Sequence, residues 1–399
     1  MVTVVTYMPG MSMIAYGEDG DVIEISSEQD LKDFATRVNS GDVAVNAILK
    51  ADIEVSSDWV PIGNEVTFNG TFDGDMHKIT FRNTTAGLIG TLGGSVENVI
   101  VEGSIIGDKW TGAIAGKSSG NILRCLNTAT VTNNDDYLGG IVGEATGGSI
   151  QFCGNTANIS TTSRYVAGIV GKTKANVVSC YNTGSITTTR NRSGANIGGI
   201  IGHLDSTKIG NCYNTGQIIV DVEKSSNFGS ILGWGYIPEG SYGVESPCYY
   251  LDTSFSIGAK GLADADLSKM IVKTDDYMKS SDFLQDLGSG FMTKTGDYPV
   301  LSWQTPTATA IFDITPEEAV LTVTSGDNVI YTSNKGTQRT VALPEGEYSY
   351  NVTKEGYTEK TGSLNVTADQ ANSGATLANI SVSLDKDNSL WGNLTFDVT

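Results

Sequence analysis

The sequence is poor in positive charge, histidine and proline. Its 399 residues include 25 lysines and arginines against 45 aspartates and glutamates, a net charge of -20, and only two histidines. A nucleic acid needs a basic patch on its protein partner, so this balance argues against nucleic-acid binding. It also opposes contact with an anionic membrane surface. Eight prolines beside 48 glycines favour many short strands and tight turns over disorder.

Long hydrophobic runs are also missing. None approaches the roughly eighteen apolar residues of a membrane-spanning segment, so we expect no direct membrane insertion by this chain. The first residues lack the basic stretch and apolar core of a secretory signal. We interpret Met1 as the start of a trimmed chain from which a signal and an anchor have been removed.

Cysteine is scarce, and its spacing matches no zinc motif. Four cysteines share one position of the repeat described below, 27 to 32 residues apart. Neighbouring stacked strands would bring their Cα atoms to about 4.8 Å, but parallel side-chain directions do not suit a disulfide. We predict a column of small buried side chains and no metal or other cofactor, with metal binding or disulfides as the alternative. The cysteines are Cys125, Cys153, Cys180, Cys212 and Cys248.

What the sequence does contain is a repeated five-residue phrase. Its copies are AGLIG at 86–90, GAIAG at 112–116, GGIVG at 139–143, AGIVG at 167–171, GGIIG at 198–202 and GSILG at 229–233. The closing glycines lie 26 to 31 residues apart, and self-similarity at such a period is typical of a solenoid. Two residues before each closing glycine stands a leucine or an isoleucine, and we predict that this column points into the core.

A second phrase follows each of the middle copies. It reads CLNTATV at 125–131, CGNTANI at 153–159, CYNTGSI at 180–186 and CYNTGQI at 212–218. Both phrases are short and rich in glycine and β-branched residues, which suits strands rather than helices. In-register stacking would place Asn127, Asn155, Asn182 and Asn214 above one another as an amide ladder. Glycan binding by this asparagine column is the alternative.

The flanking segments are predicted to cap the repeat array, which spans 86–250. The N-terminal cap, about 22–85, contains an amphipathic helix over Ser27–Ser40, with Ser27 and Asp30 as a capping-box variant. The C-terminal cap, 251–303, contains two short helices, at Asp264–Lys273 and Asp275–Gln285. We expect these caps to cover the open ends of the stack within a first domain at 1–303.

A second domain is predicted at 304–385, followed by a tail at 386–399 that either ends the chain or begins a further module. Seven short alternating strands in this region argue for a small β-sandwich. The predicted strands are Ala310–Ile314, Ala319–Thr324, Asn328–Thr332, Thr337–Leu343, Tyr348–Lys354, Gly362–Val366 and Ile380–Leu384.

Few residues qualify as candidate site residues. The acidic turn at 18–21 lacks a full calcium loop and is interpreted as a plain turn. His77 has no histidine or cysteine nearby and is interpreted as a packing residue. Asp135 and Asp136 form an adjacent acidic pair, and Arg190 with Arg192 makes one inter-repeat loop basic. We assign no catalytic, cofactor-binding or metal-binding residue, and we expect any binding face among the variable loops.

The repeats resemble the GLUG repeats of bacterial surface proteins. The resemblance rests on GLIG at 87–90 and its successors, on the C-x-N-T phrases, and on the upstream stretches 26–42 and 70–80, and it covers about 22–303. It implies a right-handed parallel β-helix on a secreted or cell-surface, adhesin-like protein. GLUG repeats also occur in IgA-specific metallopeptidases, but this chain has no HExxH motif, so that activity does not carry over.

The C-terminal region resembles a PEGA-type domain. The resemblance rests on LPEGEYSYNVTKEGYTEKTG at 343–362, in which Glu347 replaces the alanine of the family pattern. It implies a small β-sandwich of the kind that acts as a spacer on bacterial surface proteins.

These features predict an all-β, monomeric, non-enzymatic protein of adhesin type, which binds or presents a ligand such as a glycan or an extracellular protein. One alternative is a polysaccharide-acting enzyme, which would need clustered carboxylates. The other is a structural stalk.

Overall fold

The computed structural model describes residues 22–189, 194–205, 207–220, 227–236, 243–254, 257–288, 290–294, 296–326, 328–334, 336–372 and 374–387. The chain divides into two compact units, Met1–Met278 and Lys279–Thr399. The acidic turn at 18–21, the basic residues Arg190 and Arg192 and most of the tail lie outside the described residues.

The first unit is a parallel β-solenoid of about eight turns, whose strands stack into four sheets. The eight-stranded sheet contains Val22–Ile25, Asn46–Leu49, Thr71–Asp73, Ser95–Glu97, Asn121–Leu123, Ser149–Gln151, Asn176–Val178 and Ile209–Gly210. The six-stranded sheet contains Ile89–Leu92, Ala115–Ser118, Val142–Ala145, Val170–Thr173, Ile201–Asp205 and Leu232–Tyr236. The five-stranded sheet contains Trp110–Thr111, Tyr137–Gly139, Tyr165–Ala167, Asn196–Gly198 and Asn227–Gly229. The thirteen-stranded sheet contains Ile53–Val55, Lys78–Thr84, Ile100–Gly107, Leu126–Asn127, Thr130–Asn133, Gly154–Asn155, Ile159–Thr161, Tyr181–Asn182, Ile186–Thr188, Tyr213–Asn214, Ile218–Val220, Cys248–Leu251 and Met270–Lys273.

Equivalent residues of successive turns pair directly. Ile122, for example, pairs with Val96 of the preceding turn and with Ile150 of the following turn. The described part of 86–233 consists of such strands and the turns that join them, which confirms the solenoid prediction.

The interior of the solenoid is filled by the repeated phrases. The leucine and isoleucine column is fully buried, as predicted; its members are Leu88, Ile114, Ile141, Ile169, Ile200 and Ile231. The next residue of each phrase, from Ile89 to Leu232, is buried as well. In a straight strand, neighbouring side chains point to opposite faces. Here both face inward, because they lie where the chain turns from the five-stranded into the six-stranded sheet.

The asparagine ladder is present and fully buried. Asn127 Nδ2 donates to Asn155 Oδ1 at 2.7 Å, and the same contact joins Asn155 to Asn182 and Asn182 to Asn214, each at 2.7 Å. Each amide also donates to the carbonyl oxygen two residues further on, such as Ala157 O at 2.9 Å from Asn155 Nδ2. The ladder therefore satisfies buried polar groups both within a turn and between turns.

The cysteines form a single buried column and are all free thiols. Cys248, which the sequence left outside the repeat, belongs to it too, because Tyr249 pairs in register with Tyr213 directly after Cys212. Burial raises the pKa of the Cys125 and Cys180 thiols well above the ordinary value. Burial is the largest influence on each of the five thiols and disfavours the thiolate, and enclosed thiols are poor nucleophiles, so the column acts as core packing.

The helix Glu28–Asn39 confirms the predicted N-terminal helix. Ser27 caps it by accepting a hydrogen bond from Asp30 N at 3.2 Å, and the Asp30 carboxylate accepts from Ser26 N at 3.1 Å. Its apolar face is buried in the solenoid core, and the ring of Phe34 packs 5.9 Å from that of Phe68. No described helix of the chain combines the length and the apolar character needed to cross a membrane.

The last turns of the solenoid differ from the helices predicted there. The helix predicted over Asp264–Lys273 is wrong in its second half: Asp264–Leu267 is helical, but Met270–Lys273 is a strand. It pairs in parallel with Cys248–Leu251, whose free edge offers backbone partners that outweigh local helical periodicity. The helix predicted over Asp275–Gln285 is split into two.

The two pieces of that helix are Asp275–Met278, which ends the first unit, and Ser281–Leu287, which belongs to the second. Ser280 starts the second piece by accepting a hydrogen bond from Phe283 N at 3.3 Å. The boundary between the units thus falls at 278/279, whereas the sequence places it at 303/304.

The second unit contains all seven strands predicted for it. A three-stranded sheet contains Ala308–Thr315, Gln338–Leu343 and Ile380–Ser383, and a four-stranded sheet contains Val320–Ser325, Asn328–Ser333, Gly346–Thr353 and Lys360–Val366. A two-stranded sheet, Phe291–Lys294 with Asp297–Leu301, precedes them, with a short 3-10 helix at Ser302–Gln304 and an α-helix at Ala368–Asn372. Side chains from the two larger sheets share one hydrophobic core.

Candidate functional site

A column of aromatic rings runs along one corner of the solenoid over five successive turns. We call it the aromatic ladder, and it consists of Trp110, Tyr137, Tyr165, His203 and Trp234. The first three residues pair in register at the start of strands of the five-stranded sheet. Asparagines continue that column, and the rings shift to the neighbouring six-stranded sheet, where His203 pairs with Trp234.

The rings of the ladder contact one another without a break. Trp110 stacks on Tyr137 with ring centroids 6.0 Å apart, and Tyr137 stacks on Tyr165 at 5.1 Å. Tyr165 meets His203 edge-on at 5.4 Å, and His203 stacks on Trp234 at 4.9 Å. Such pairs contribute about 0.5–1.5 kcal/mol each beyond the burial of their area.

The ladder is most open to solvent at its first ring. Trp110 is 36% exposed, Tyr137 is half-buried and Tyr165 is 8% exposed. Stacked neighbours cover the faces of the inner rings, whereas Trp110, at the end of the ladder, stacks on Tyr137 alone among the described rings. Trp110 Nε1 donates to Glu144 Oε2 at 3.0 Å.

Two columns of charged residues flank the exposed part of the ladder. On one side Lys109, Asp136 and Arg164 directly precede the three rings. On the other side the paired positions of the six-stranded sheet are Lys117, Glu144 and Lys172. Charge therefore alternates from turn to turn on both sides, which avoids like charges at the close spacing of neighbouring strands.

The cations converge on the rings. Lys117 Nζ lies 3.4 Å and Lys109 Nζ 4.7 Å from the centroid of the Trp110 ring. Two turns further on, Arg164 Cζ lies 4.9 Å and Lys172 Nζ 5.7 Å from the centroid of the Tyr165 ring. These are cation–π distances, and they place two positive charges at each of these turns.

The intervening turn carries negative charge at the equivalent place. Glu144 and Asp136 both act on Tyr137, whose pKa is raised first by burial and then by the Glu144 carboxylate, the Tyr165 hydroxyl and the Asp136 carboxylate. The corner thus presents, in order along the stack, a cationic, an anionic and a cationic ring site.

His203 lies at the centre of a polar network within the ladder. Asn196 Nδ2 lies 2.9 Å from its Nδ1, and its Nε2 lies 3.0 Å from Asp205 Oδ1. Asn227 Nδ2 donates to Asn196 Oδ1 at 2.8 Å, and Lys172 Nζ lies 3.6 Å from Asp205 Oδ2. With an amide N–H facing Nδ1, the pattern fits a neutral ring protonated at Nε2.

This network predicts a pH dependence of stability. Burial lowers the pKa of His203 despite the nearby Asp205 carboxylate, whereas the unfolded histidine titrates near pH 6.5. The contribution of the neutral ring is complete above that value and is lost as the pH falls from it through the lower pKa of the folded protein. We expect the thermal unfolding midpoint to fall between about pH 7.5 and pH 5, and to fall less in His203→Gln. Equal falls in the two proteins, measured by circular dichroism, would contradict this assignment.

The other site candidates from the sequence do not gather into one place. His77 Nδ1 lies 3.0 Å from Asp52 Oδ1, which also accepts from Lys78 N, so the pair fastens neighbouring turns. Asp135 lies in the bend before Tyr137, where its N–H donates to Asn133 Oδ1 at 2.6 Å. Asp136 flanks the ladder, a place that the sequence did not predict. Among the described residues no group of three or more histidines, cysteines or acids is arranged to hold a metal ion.

The sequence did contain a signal for the ladder. Trp110, Tyr137 and Tyr165 each stand two residues before a repeated phrase, and His203 and Trp234 each follow a closing glycine. Aligning the repeats on their glycines would have placed three of the rings in one column. The shift of the rings between two sheets could not be read in this way, because it depends on how the chain turns at the corner.

The fold defines an all-β protein whose first unit is a parallel β-solenoid. No family model matches the chain. Halomucin of Haloquadratum walsbyi is 32% identical over 142 residues, an alignment that covers 31% of this chain and 2% of halomucin. A crystal structure from Bacteroides ovatus, provisionally described as an immunoglobulin A1 protease, has a TM-score of 0.44 and 17% identity, and covers 70% of this chain and 92% of that chain. A structure described as an IgA1 protease has a TM-score of 0.42 and 13% identity, and covers 84% of this chain and 34% of that chain.

Proposed function

We propose that this is a secreted or cell-surface, non-enzymatic binding protein of adhesin type, and that the aromatic ladder is its glycan-binding surface. The observation that carries the proposal is the continuous, partly exposed column of rings flanked by charged side chains. The resemblance of the repeats to GLUG repeats and the acidic composition of the chain support the location. The second unit, with two sheets around one core, would serve as a PEGA-like β-sandwich spacer.

A glycan suits this surface because of its shape and its chemistry. Successive turns of the solenoid are about 4.8 Å apart, close to the length of one sugar in an extended chain, so each turn can meet one sugar. The aromatic rings offer apolar contact, and the flanking carboxylates and ammonium groups can hydrogen-bond sugar hydroxyls.

The carboxylates beside the ladder favour binding over catalysis. Glycoside hydrolysis needs two carboxyl groups that are free to act on opposite sides of the bond. Glu144 is held by the Trp110 indole, and Asp205 by His203 and Lys172. These contacts hold both carboxylates in place, so neither is free to act as a catalytic acid or nucleophile, although each can still accept a hydrogen bond from a sugar hydroxyl.

An enzymatic role has one specific observation in its favour, elsewhere on the solenoid. Asp73 and Glu97 pair on adjacent turns, and burial together with the Asp73 charge raises the pKa of Glu97. An ion pair of Glu97 with Arg124 at 2.9 Å opposes this and makes a structural role the simpler interpretation. Unsaturated-product and reducing-sugar assays on uronans, with Glu97→Gln as the comparison, decide between these roles.

The binding proposal predicts a specific loss in Trp110→Ala. We expect the full chain to bind at least one glycan on a broad array, and the variant to lose about tenfold in affinity through the lost aromatic contact, with an unfolding midpoint lowered by only about 2–4 °C through the lost stacking on Tyr137. Ile219→Ala is the matched control, because Ile219 is a large hydrophobic residue, 49% exposed, on the thirteen-stranded sheet. Binding to no glycan would leave the spacer role, and equal losses in both variants would place the ligand elsewhere.

A further inference from the structure

Over the three turns of Trp110, Tyr137 and Tyr165, the charges around the aromatic ladder alternate in sign. Lys109 and Lys117 converge on the ring of Trp110, and Arg164 and Lys172 converge on the ring of Tyr165. One turn separates these rings, so the two cationic sites are about 10 Å apart along the stack. On a protein of net charge -20, two cation pairs at this separation point to a ligand with anions at the same separation.

The turn between the cationic sites has the opposite character. Asp136 and Glu144 flank Tyr137 there, and both carboxylates act on its hydroxyl. An anionic group placed on this turn would meet two like charges, whereas hydroxyl or amide N–H groups would find hydrogen-bond acceptors. The middle turn therefore disfavours a chain that is charged at every unit.

We propose that the ladder binds a linear polysaccharide with an anionic group on every second sugar and a neutral sugar, rich in hydroxyl or amide donors, between them. This rests on the proposed function and names its ligand class. The chain lies parallel to the solenoid axis, with one sugar to each turn. Its anions contact the Trp110 and Tyr165 sites, and its neutral sugar contacts the carboxylates beside Tyr137.

The two cationic sites are not equally strong. At the Tyr165 site Lys172 shares its charge with Asp205 at 3.6 Å, and Arg164 Nε donates to Gly194 O at 3.3 Å. No such ionic partner is found among the described contacts of Lys109 and Lys117, whose ammonium groups face the Trp110 ring. The Trp110 site is therefore expected to contribute more to binding.

The first experiment compares polysaccharides that differ in charge pattern. The full chain is tested by biolayer interferometry against hyaluronan and unsulfated chondroitin, which alternate a uronate with an N-acetylhexosamine. Carboxyl-reduced hyaluronan removes the charge at constant backbone, and polygalacturonate carries a charge on every sugar. We expect binding to an alternating chain, with about tenfold or greater loss on carboxyl reduction and weak binding to polygalacturonate. Added salt should weaken binding to the alternating chain.

The second experiment tests the residues. Lys109→Ala with Lys117→Ala should lower affinity for the alternating chain about tenfold or more. The matched control is Lys50→Ala with Lys78→Ala, which removes two lysines that pair with Asp75 and Glu102 away from the ladder. Replacing both middle acids, Asp136→Asn with Glu144→Gln, should relieve the repulsion and raise affinity for polygalacturonate. Thermal unfolding of each variant verifies folding.

The outcomes separate this inference from the proposed function. Equal binding of hyaluronan and its carboxyl-reduced form, still abolished by Trp110→Ala, would overturn the charge pattern and leave glycan binding in place. Binding to neither alternating chain, while a neutral glycan on the array is bound, would do the same. Failure to bind every glycan would remove the proposed function itself.

Discussion

Gly202→Ala should destabilise the protein by about 3 kcal/mol or more, the upper range for overpacking a core, and lower the unfolding midpoint by roughly 6–12 °C. Gly202 is the closing glycine of one repeated phrase. A Cβ added there would lie 2.8 Å from Val166 N and 2.9 Å from Asn196 O, and closer still to the carbonyl oxygen of Gly171. All three atoms are backbone of paired strands, so none can move without breaking the register of the stack.

The repeats themselves show that this position differs from the other glycines. Alanine stands at the first position of the phrase in Ala86 and Ala167, and at the second in Ala113, but the closing position is glycine in every copy. Gly147→Ala is the matched control, because the nearest atom to its added Cβ, Ser119 O, is 3.6 Å away. We expect that control to be neutral or slightly stabilising. A Gly202→Ala midpoint within 2 °C or so of the control would show that the corner can relax.

The repeat architecture could be predicted from the sequence because it depends on one simple fact. When turns stack in register, residues at equivalent positions must share an environment, so columns of like residues reveal what they touch. This reasoning correctly placed the cysteines, the asparagines and the leucine and isoleucine column. A different signal served for the second unit, where alternating residues and short turns marked each of the seven strands.

Prediction failed where a residue packs or pairs with a segment that does not occupy the equivalent position of a neighbouring repeat. Met270–Lys273 is a strand because the edge of Cys248–Leu251 is free, and no local pattern records that edge. Cys248 joined the column although its phrase, CYYL, lacks the asparagine that marks the others. The charged columns beside the aromatic ladder were missed for another reason. Their residues alternate between basic and acidic, so the equivalent positions do not carry similar residues from one repeat to the next.

The glycine phrase and the asparagine phrase recur together because they meet inside each turn. A Cβ added to Gly140 would lie 2.6 Å from Asn155 Cγ, so the glycine leaves the space that the amide occupies across the interior. The asparagine ladder therefore packs against the column of glycines on the opposite side of the interior. This contact explains why the two phrases occur together in the repeats.

Asn155→Ala should therefore cost about 3–5 kcal/mol, since a buried polar group left without a partner costs about 1–3 kcal/mol. The substitution removes the donor to Asn182 Oδ1 and to Ala157 O, and the acceptor of Asn127 Nδ2. Asn127 keeps its bond to Ala129 O, which limits the loss on that side. Chemical denaturation monitored by circular dichroism measures the change in the free energy of unfolding.

The control for this substitution lies three residues away. Asn158 is exposed, and its Oδ1 accepts from Ser185 N of the next turn at 3.0 Å, so Asn158→Ala also removes a contact between turns, but one that water can replace. We expect a cost below about 1 kcal/mol there. If the two variants were equally destabilised, the buried asparagine ladder would contribute no more to stability than an exposed contact between turns. A large difference means that burial of the amides, rather than their number, holds successive turns in register.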